Sequence, residues 1–429
     1  MDLLIEDGHV YSDGRVERAD VGVRDGRIAE VGEVEDADRV LDASGCLVLP
    51  GMVNAHTHAS MSLLRGYADD LPLQDWLEKH IWPVEAHLRP DDVRVGAELA
   101  AVEMIRGGTT AFADMYFHMD EVVEAVEGSG LRASLGYGII TVGKDEKEAR
   151  EELREGVEFV RQNDGTADGR VSAMLCPHAP YTCDDTTLRE ATEAARDEDV
   201  TLHTHLSETT GEVDDCVEAH GKRPPEYLGE LGFFDGDAYV AHGVHLDGGE
   251  IESLAREGVG VAHCPSANMK LASGTAPVTE MLEAGVTVGI GTDGPASNNT
   301  LDMFKETRHA ALVAKNREGD ASTVPARAAV EAATRGGAKL LGTDAGAIEE
   351  ERPADIAVLD LGAAHLAPQH DLVSHAVYAA NAGDVVHTVV DGNVLMEDRN
   401  VETLDAEAVV AEAEETARGL VERAEGDGA

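Results

Sequence analysis

Short apolar runs of β type alternate with Ala/Glu/Arg-rich helical stretches through the middle of this chain, and few folds accommodate that alternation. The apolar runs fall at Leu47–Val53, Thr110–Met115, Val171–Cys176, Val200–Leu206, Ala238–Ala241, Val259–Cys264 and Val286–Gly291. Asp91–Arg106, Thr186–Arg196 and Gly249–Arg256 are among the helical stretches between them. Strands that alternate with helices imply a parallel sheet, because each crossover helix returns the chain to the same end of the sheet. Seven or eight such units over roughly 300 residues favour a closed (β/α)₈ TIM-like barrel. A doubly wound open sheet is the runner-up, but no Gly-x-Gly-x-x-Gly follows the first strand.

The two ends of the chain read differently. Residues 1–50 are short strands punctuated by Asp7-Gly8, Asp13-Gly14 and Asp25-Gly26, a strong short-range hairpin signal. The same style returns at Asp355–Asp360 and at Val385–Leu395, with a turn at Asp391-Gly392. These segments are expected to pair into one small composite β-sandwich. The expected division is residues 1–50 for its N-terminal part, 51–350 for the barrel, and 351–429 for its C-terminal part plus a helix over 405–425.

Composition narrows the partners. The chain has 429 residues, 43% of them hydrophobic, enough for a sizeable core. It carries 84 Asp+Glu against 34 Lys+Arg, a formal net charge of −50. Such a surface repels nucleic-acid phosphates and anionic membranes, so neither is expected as a partner. The acids are spread along the chain rather than blocked at one end, which fits a soluble surface adapted to high salt better than a polyanionic tail. Five cysteines without a Cys-x-x-Cys pair suggest reduced thiols and a cytoplasmic setting. No signal peptide and no apolar run of transmembrane length is visible. The partner expected is a small molecule, with homo-oligomerisation left open.

Metal-capable side chains sit where the apolar runs end. His56 and His58 follow the first, His178 the run ending at Cys176, His205 and Glu208 the run at Val200. His242 follows Ala241, His263 follows Ala262, and Asp293 follows Gly291-Thr292. In a (β/α)₈ barrel the strand C-termini converge on one face, so these residues would meet in one pocket. Residues i and i+2 of an extended chain point the same way, so His56 and His58 could clasp one ion. A lone His-x-His is weak; two exposed histidines are the ordinary alternative, and position after the first barrel strand raises the metal reading.

The stretch Leu49-Pro50-Gly51-Met52-Val53-Asn54-Ala55-His56-Thr57-His58 resembles the opening of the amidohydrolase superfamily. The deaminase and chlorohydrolase branch is resembled through Ser62–Asp70, Ile81-Trp82-Pro83-Val84-Glu85, Pro177–Cys183, His203–Thr209, Ala241–His245, Cys264–Leu271 and Gly291–Asn299. These segments run in family order across nearly the whole chain. Within the branch the chain is most similar to the family of 5-methylthioadenosine/S-adenosylhomocysteine deaminases.

That resemblance implies a site. His56, His58, His205 and Asp293 match metal ligands for one divalent ion; neutral imidazoles with a carboxylate suit Zn²⁺, with Fe²⁺ the alternative. The ion would lower the pKa of a bound water. Glu208 matches the proton shuttle, and His242 the residue that steadies the attacking hydroxide or the tetrahedral centre. Asp293 would serve both as ligand and as proton acceptor. Glu85 would accept hydrogen bonds from ribose hydroxyls and His178 would reach the purine, while Met61, Trp76 and Trp82 would form an apolar wall or simply pack in a lid. Asn298 and Asn299 could hold the Asp293 loop. The remaining histidines, His203 and His245 included, receive no role. No suitably placed lysine suggests a two-metal site; Lys144, Lys147 and Lys222 lie elsewhere.

The expected activity is hydrolytic deamination of adenosine-type nucleosides such as 5-methylthioadenosine, 5′-deoxyadenosine or S-adenosylhomocysteine. Tyr137 stands where some relatives offer an arginine to the homocysteine carboxylate, and Arg150 is a replacement candidate. The rival readings are a deaminase or chlorohydrolase of a free base or triazine, and a metal-binding scaffold without activity. Glu85 speaks for a ribose-bearing substrate, and intact Glu208 and His242 speak against an inactive relative.

Overall fold

The computed structural model describes residues 1–426. Its strands in chain order are β1 (Leu3–Ser12), β2 (Arg15–Arg24), β3 (Arg27–Gly32), β4 (Arg39–Asp42), β5 (Cys46–Pro50), β6 (Met52–Thr57), β7 (Thr109–Tyr116), β8 (Arg132–Ile139) and β9 (Val171–Pro177). They continue with β10 (Thr201–Leu206), β11 (Ala238–His242), β12 (Gly260–His263), β13 (Val288–Ile290), β14 (Ile356–Asp360), β15 (Val385–Val390), β16 (Asn393–Glu397) and β17 (Asn400–Val401). β6 to β13 form an eight-stranded sheet in sequence order, and every adjacent pair is parallel. This is the expected (β/α)₈ barrel.

The ends of that sheet meet along a seam between β6 and β13. The Asp293 amide donates to the His56 carbonyl at 3.0 Å. The Asn54 side chain substitutes for a ladder partner: its Oδ1 accepts from the Thr292 amide at 2.9 Å, and its Nδ2 donates to Thr292 Oγ1 at 2.7 Å. Close approach requires a missing side chain on β13's exit. A Cβ on Gly291 would lie 2.9 Å from the Cβ, N and O of His56, so only glycine fits without moving the strand that carries the first histidine.

The two ends of the chain build the second unit, a nine-stranded mixed sheet in which β14 of the C-terminal part pairs antiparallel with β5 of the N-terminal part. Its core draws on both: Ile5, Val10, Val23 and Ile28 pack with Ile356, Val358 and Val389. Asp13-Gly14 and Asp25-Gly26 make the β1–β2 and β2–β3 turns, all four residues with positive φ, as a hairpin turn matched to strand twist requires. Asp7-Gly8 does not turn the chain. It is an irregularity inside β1, where the register with β2 shifts between Ile5 and Gly8.

Two other details depart from the sequence reading. The apolar run Leu47–Val53 is not one strand: it breaks at Pro50-Gly51, leaving β5 in the composite sheet and starting β6 in the barrel. β8 was hidden because its sequence, RASLGYGI, has no continuous apolar run. Gly136 there is small because a Cβ would meet Cys176 Sγ at 2.1 Å. The terminal helix, Ala406–Gly426, buries Ala413 against Leu63 and Val95 of the barrel. Arg132, at the start of β8, donates to Asp355 Oδ2 at 2.9 Å and to Asp391 Oδ1 at 3.3 Å, tying barrel to composite sheet. Among the described residues no helix is long and apolar enough to cross a membrane.

Gly291→Ala forces a methyl into the seam, and overpacking of this kind costs about 1–3 kcal/mol. We expect a lowered midpoint in thermal unfolding by circular dichroism; an unchanged midpoint would show that the seam yields freely.

Candidate active site

Strand termini position the site. His56 lies in β6, His205 in β10 and His242 ends β11, while His58, His178, Glu208 and Asp293 follow directly on β6, β9, β10 and β13. All seven are buried or nearly so. His242 and Asp293 have φ of 70° and 60°, a left-handed backbone that turns their side chains inward from the strand ends.

Backbone carbonyls fix the imidazoles. His58 Nδ1 donates to the Met115 carbonyl and His205 Nδ1 to the His178 carbonyl, both at 2.6 Å. His56 uses another histidine. His203 Nδ1 faces the Tyr239 carbonyl at 3.2 Å and can only donate to it, so His203 Nε2 accepts from His56 Nδ1 at 2.8 Å. Each of the three rings therefore turns its Nε2 toward one point.

Asp293 completes that point. Its Oδ1 lies 3.3 Å from His58 Nε2 and 3.6 Å from His56 Nε2, and Ser297 Oγ donates to Oδ2 at 2.6 Å. His58 Nε2 and His205 Nε2 face each other at 3.3 Å. His56 Nε2 is buried without a hydrogen-bond partner. Three Nε2 atoms around a carboxylate, that of His56 without a hydrogen-bond partner, suit a divalent cation, with the outward Nδ1–H anchors that orient ligating histidines. The donor atoms of His56, His205, His242 and Asp293 lie within 4.8 Å of one another. His242 thus joins the cluster alongside the four residues expected from the sequence. Its Nδ1 is tied to Asn268 Oδ1 at 2.9 Å, and its Nε2 lies 3.9 Å from Glu208 Oε2.

Electrostatics agree with this arrangement. Burial lowers His56 to about 4, and it holds His205 well below the ordinary imidazole range, so both are neutral at pH 7. Burial also lowers His58, but the Asp293 carboxylate overrides it and draws the ring up to about 9. Burial would raise Asp293; the imidazoles facing it, His56 and His58 first, outweigh that and hold the carboxyl well below its usual range. The cluster favours a positive charge at its centre.

Around it lies a cleft at the mouth of the barrel. Met61, Trp76, Trp82, Glu85, His178 and Glu208 all line it. The apolar wall therefore forms, with Trp76 Nε1 donating to the Ala68 carbonyl at 3.0 Å. Burial raises the Glu208 carboxyl, and Ser273 Oγ donates to its Oε1 at 3.1 Å. Glu85 accepts from Tyr116 at 2.6 Å. His178 is lowered to about 3 by burial, and its Nδ1 bonds Thr182 Oγ1 at 3.0 Å, leaving Nε2 as an acceptor. Asn298 Nδ2 holds the Thr292 carbonyl at 2.6 Å, as expected; Asn299 instead takes Lys270 and Arg65.

Three sequence expectations find other places. Arg150 is exposed, paired with Glu146 at 2.7 Å, and does not line the cleft. Tyr137 lines an adjoining recess with Trp82, Glu85, Lys144 and Glu152. His203 does have a role, as the acceptor that orients His56. Tyr116 and Ser273 escaped the sequence reading because nothing in their local pattern marks them, and Asn268 lay in the resembling stretch Cys264–Leu271 without a role.

A family model described as the Amidohydrolase family matches residues 47–395. The chain belongs to this family of hydrolases. It is 57% identical over 402 residues, 94% of this chain and 93% of the relative, to the 5-methylthioadenosine/S-adenosylhomocysteine deaminase of Natronomonas pharaonis. It is 49% identical to the 5′-deoxyadenosine deaminase of Methanosarcina mazei over 98% of this chain and 99% of that one. Among solved structures it is similar to an adenosine deaminase from Xanthomonas campestris with bound zinc, at TM-score 0.93 and 37% identity over 98% of each chain. It is also similar to atrazine chlorohydrolase from Arthrobacter aurescens complexed with zinc, at TM-score 0.90 and 27% identity over 97% and 100%.

Replacing Asp293 by Ala removes the only carboxylate among the converging donors. We expect the variant to lose tightly bound divalent metal, read by elemental analysis after gel filtration. Retention of stoichiometric metal would exclude Asp293 from the ligand set.

Proposed function

We propose that this chain is a metal-dependent deaminase of adenosine-type nucleosides that replaces the 6-amino group of the purine by oxygen and releases ammonia. The observation that carries the reading is Glu208: a buried carboxyl, raised above its ordinary value, beside the imidazole–Asp293 cluster and in the same cleft as Glu85. The names of the 57% and 49% identical relatives support the same activity.

His56, His58, His205 and Asp293 would hold one divalent ion. Their three nitrogens and one oxygen suit Zn²⁺, in keeping with the zinc-bound relatives, and Fe²⁺ is the alternative. Lys144 is paired with Glu152 and Lys222 with Glu230, so neither is available to bridge a second ion. Bound there, the ion supplies Lewis acidity that makes hydroxide available near neutral pH. His242, held by Asn268, would orient the attacking oxygen through Nε2. Glu208 would take the water's proton on its carboxylate, pass it to the purine ring nitrogen, and then serve the departing ammonia. Asp293 would accept the remaining proton of the attacking oxygen as the new carbonyl forms. His178 Nε2 is an acceptor for the purine, and Glu85, steadied by Tyr116, an acceptor for ribose hydroxyls.

Glu85 also separates this reading from deamination or dechlorination of a free base or triazine. A substrate without sugar hydroxyls leaves the desolvated carboxylate with Tyr116 as its one hydrogen-bond partner among the described residues and its second oxygen unmet, and sites built for a hydroxyl reject its absence by up to ~10⁴–10⁵-fold. In the recess beside Glu85, Glu152 engages Lys144, which disfavours the carboxylate of S-adenosylhomocysteine.

The test is a panel assayed by ultraviolet absorbance at several salt concentrations. We expect 5-methylthioadenosine and 5′-deoxyadenosine to exceed adenine, cytosine and guanine in kcat/KM, with S-adenosylhomocysteine behind the uncharged nucleosides. Faster turnover of free adenine at every salt concentration would overturn the nucleoside reading.

Glu208→Gln should keep its metal and lose ~10²–10⁴-fold in kcat. In the wild type, Glu208 must be ionised to take the proton, and burial raises its pKa. Activity should therefore fall on the acid side at a pH above 4.5, the ordinary glutamate value. Normal turnover by the variant would remove Glu208 from the mechanism.

A further inference from the structure

Glu208 is carried on a turn whose carbonyls are held from β11's exit, Gly243 N donating to the Leu206 carbonyl at 3.0 Å and His245 N to the Ser207 carbonyl at 2.9 Å. The chain leaves β10 at Leu206, and Ser207 adopts φ of 50°, a left-handed conformation costly for a residue with a side chain. The amides of Ser207 and Glu208, two buried residues, lie beyond the end of β10. Both are received by one side chain. Ser207 N donates to Glu212 Oε1 and Glu208 N to Glu212 Oε2, each at 2.7 Å. Glu212 is itself buried, and its place is set by the start of the helix Thr210–His220, where Thr209 Oγ1 accepts from its amide at 3.1 Å.

We propose that Glu212 is a positioning residue for the proton-carrying carboxylate: by bridging the two amides it locks the left-handed turn that aims Glu208 at the cleft. The inference rests on the reading of Glu208 as the proton carrier. Both Glu212 oxygens are committed to backbone N–H groups, so it clamps the turn rather than relaying protons to the outer groove it lines with Thr209, Asp215 and Ser273. Both bonds lie at the short end of the N–H···O range. The lever is short. Glu208 follows Ser207 directly and lies three residues after His205, so a shift of the turn displaces its carboxylate from Ser273 Oγ and His242 Nε2. Misplacement on the order of 1 Å at a reacting group costs ~10²-fold in rate.

The decisive variant is Glu212→Gln in the metal-loaded full chain. An amide offers one acceptor and turns a donor toward the second N–H, so the clamp is half lost. We expect amide hydrogen exchange in the 206–209 segment to accelerate by ~10-fold or more, with metal stoichiometry unchanged. On 5-methylthioadenosine we expect kcat to fall ~10–100-fold with KM held within about twofold. In a Glu208→Gln background the second change should cost nothing further, because its effect passes through that carboxylate. An equal loss in both backgrounds, or faster exchange with undiminished kcat, would overturn the proposal. If Glu212→Gln does not fold, Glu212→Asp, which keeps both oxygens one methylene short, is put through the same measurements. A failure of the deaminase reading is separate: it appears as absent nucleoside turnover in the wild type, while the exchange measurement still reports the clamp.

Discussion

Closure of the barrel at the β6–β13 seam is the contact on which the rest of this protein depends. The seam brings Asp293, from the end of the eighth strand, to the histidines of the first, although 235 and more residues separate them in sequence. Little of it is ordinary ladder. One backbone bond joins Asp293 to His56, the Asn54 side chain bonds Thr292 twice, and Gly291 vacates the space that His56 fills. The same few atoms therefore close the fold and set the distance between a carboxylate and two imidazoles. A seam of this kind couples stability to chemistry, since loosening it would separate the donors.

The site shows how burial is turned to use. Desolvation holds His56 and His205 neutral, as the proposed ligand role requires, and raises Glu208, as the proposed proton-carrying role requires. Burying Asp293 unaided would be unfavourable; surrounding imidazoles and Ser297 reverse the balance. Every functional ring has its outer nitrogen occupied by a fixed acceptor: Met115, the His178 carbonyl, His203 or Asn268. Tautomers are thereby set by the scaffold before any ligand arrives, which lowers the cost of organising the reacting groups.

Much of the fold was legible because hydrophobic alternation reports directly on strands and crossovers. The reading failed where that signal fails. β8 is a barrel strand interrupted by Gly136 and Gly138, the first of them small because a Cβ there would meet Cys176 of the neighbouring strand. Leu47–Val53 is uniformly apolar, so nothing in hydropathy marks the change of sheet at Pro50-Gly51. Asp7-Gly8 resembles the turn pairs around it, yet the pairing of β1 with β2 runs through it as an irregularity.

At the site, the sequence by itself determined the chemical inventory: histidines and carboxylates at strand ends, in an order that resembles one family. It could not rank them. His56-x-His58 and His203-x-His205 are the same motif, and period-two geometry puts both members of each pair on one side of the chain. Only the tertiary structure separates the pairs, because His203 lies two residues deeper in β10 and meets the back of His56 instead of the common centre. Tyr116 behind Glu85, Asn268 behind His242 and Glu212 beneath Glu208 were decided there too. Their roles depend on which strand end lies beside which, a property of barrel closure and of no local stretch of chain.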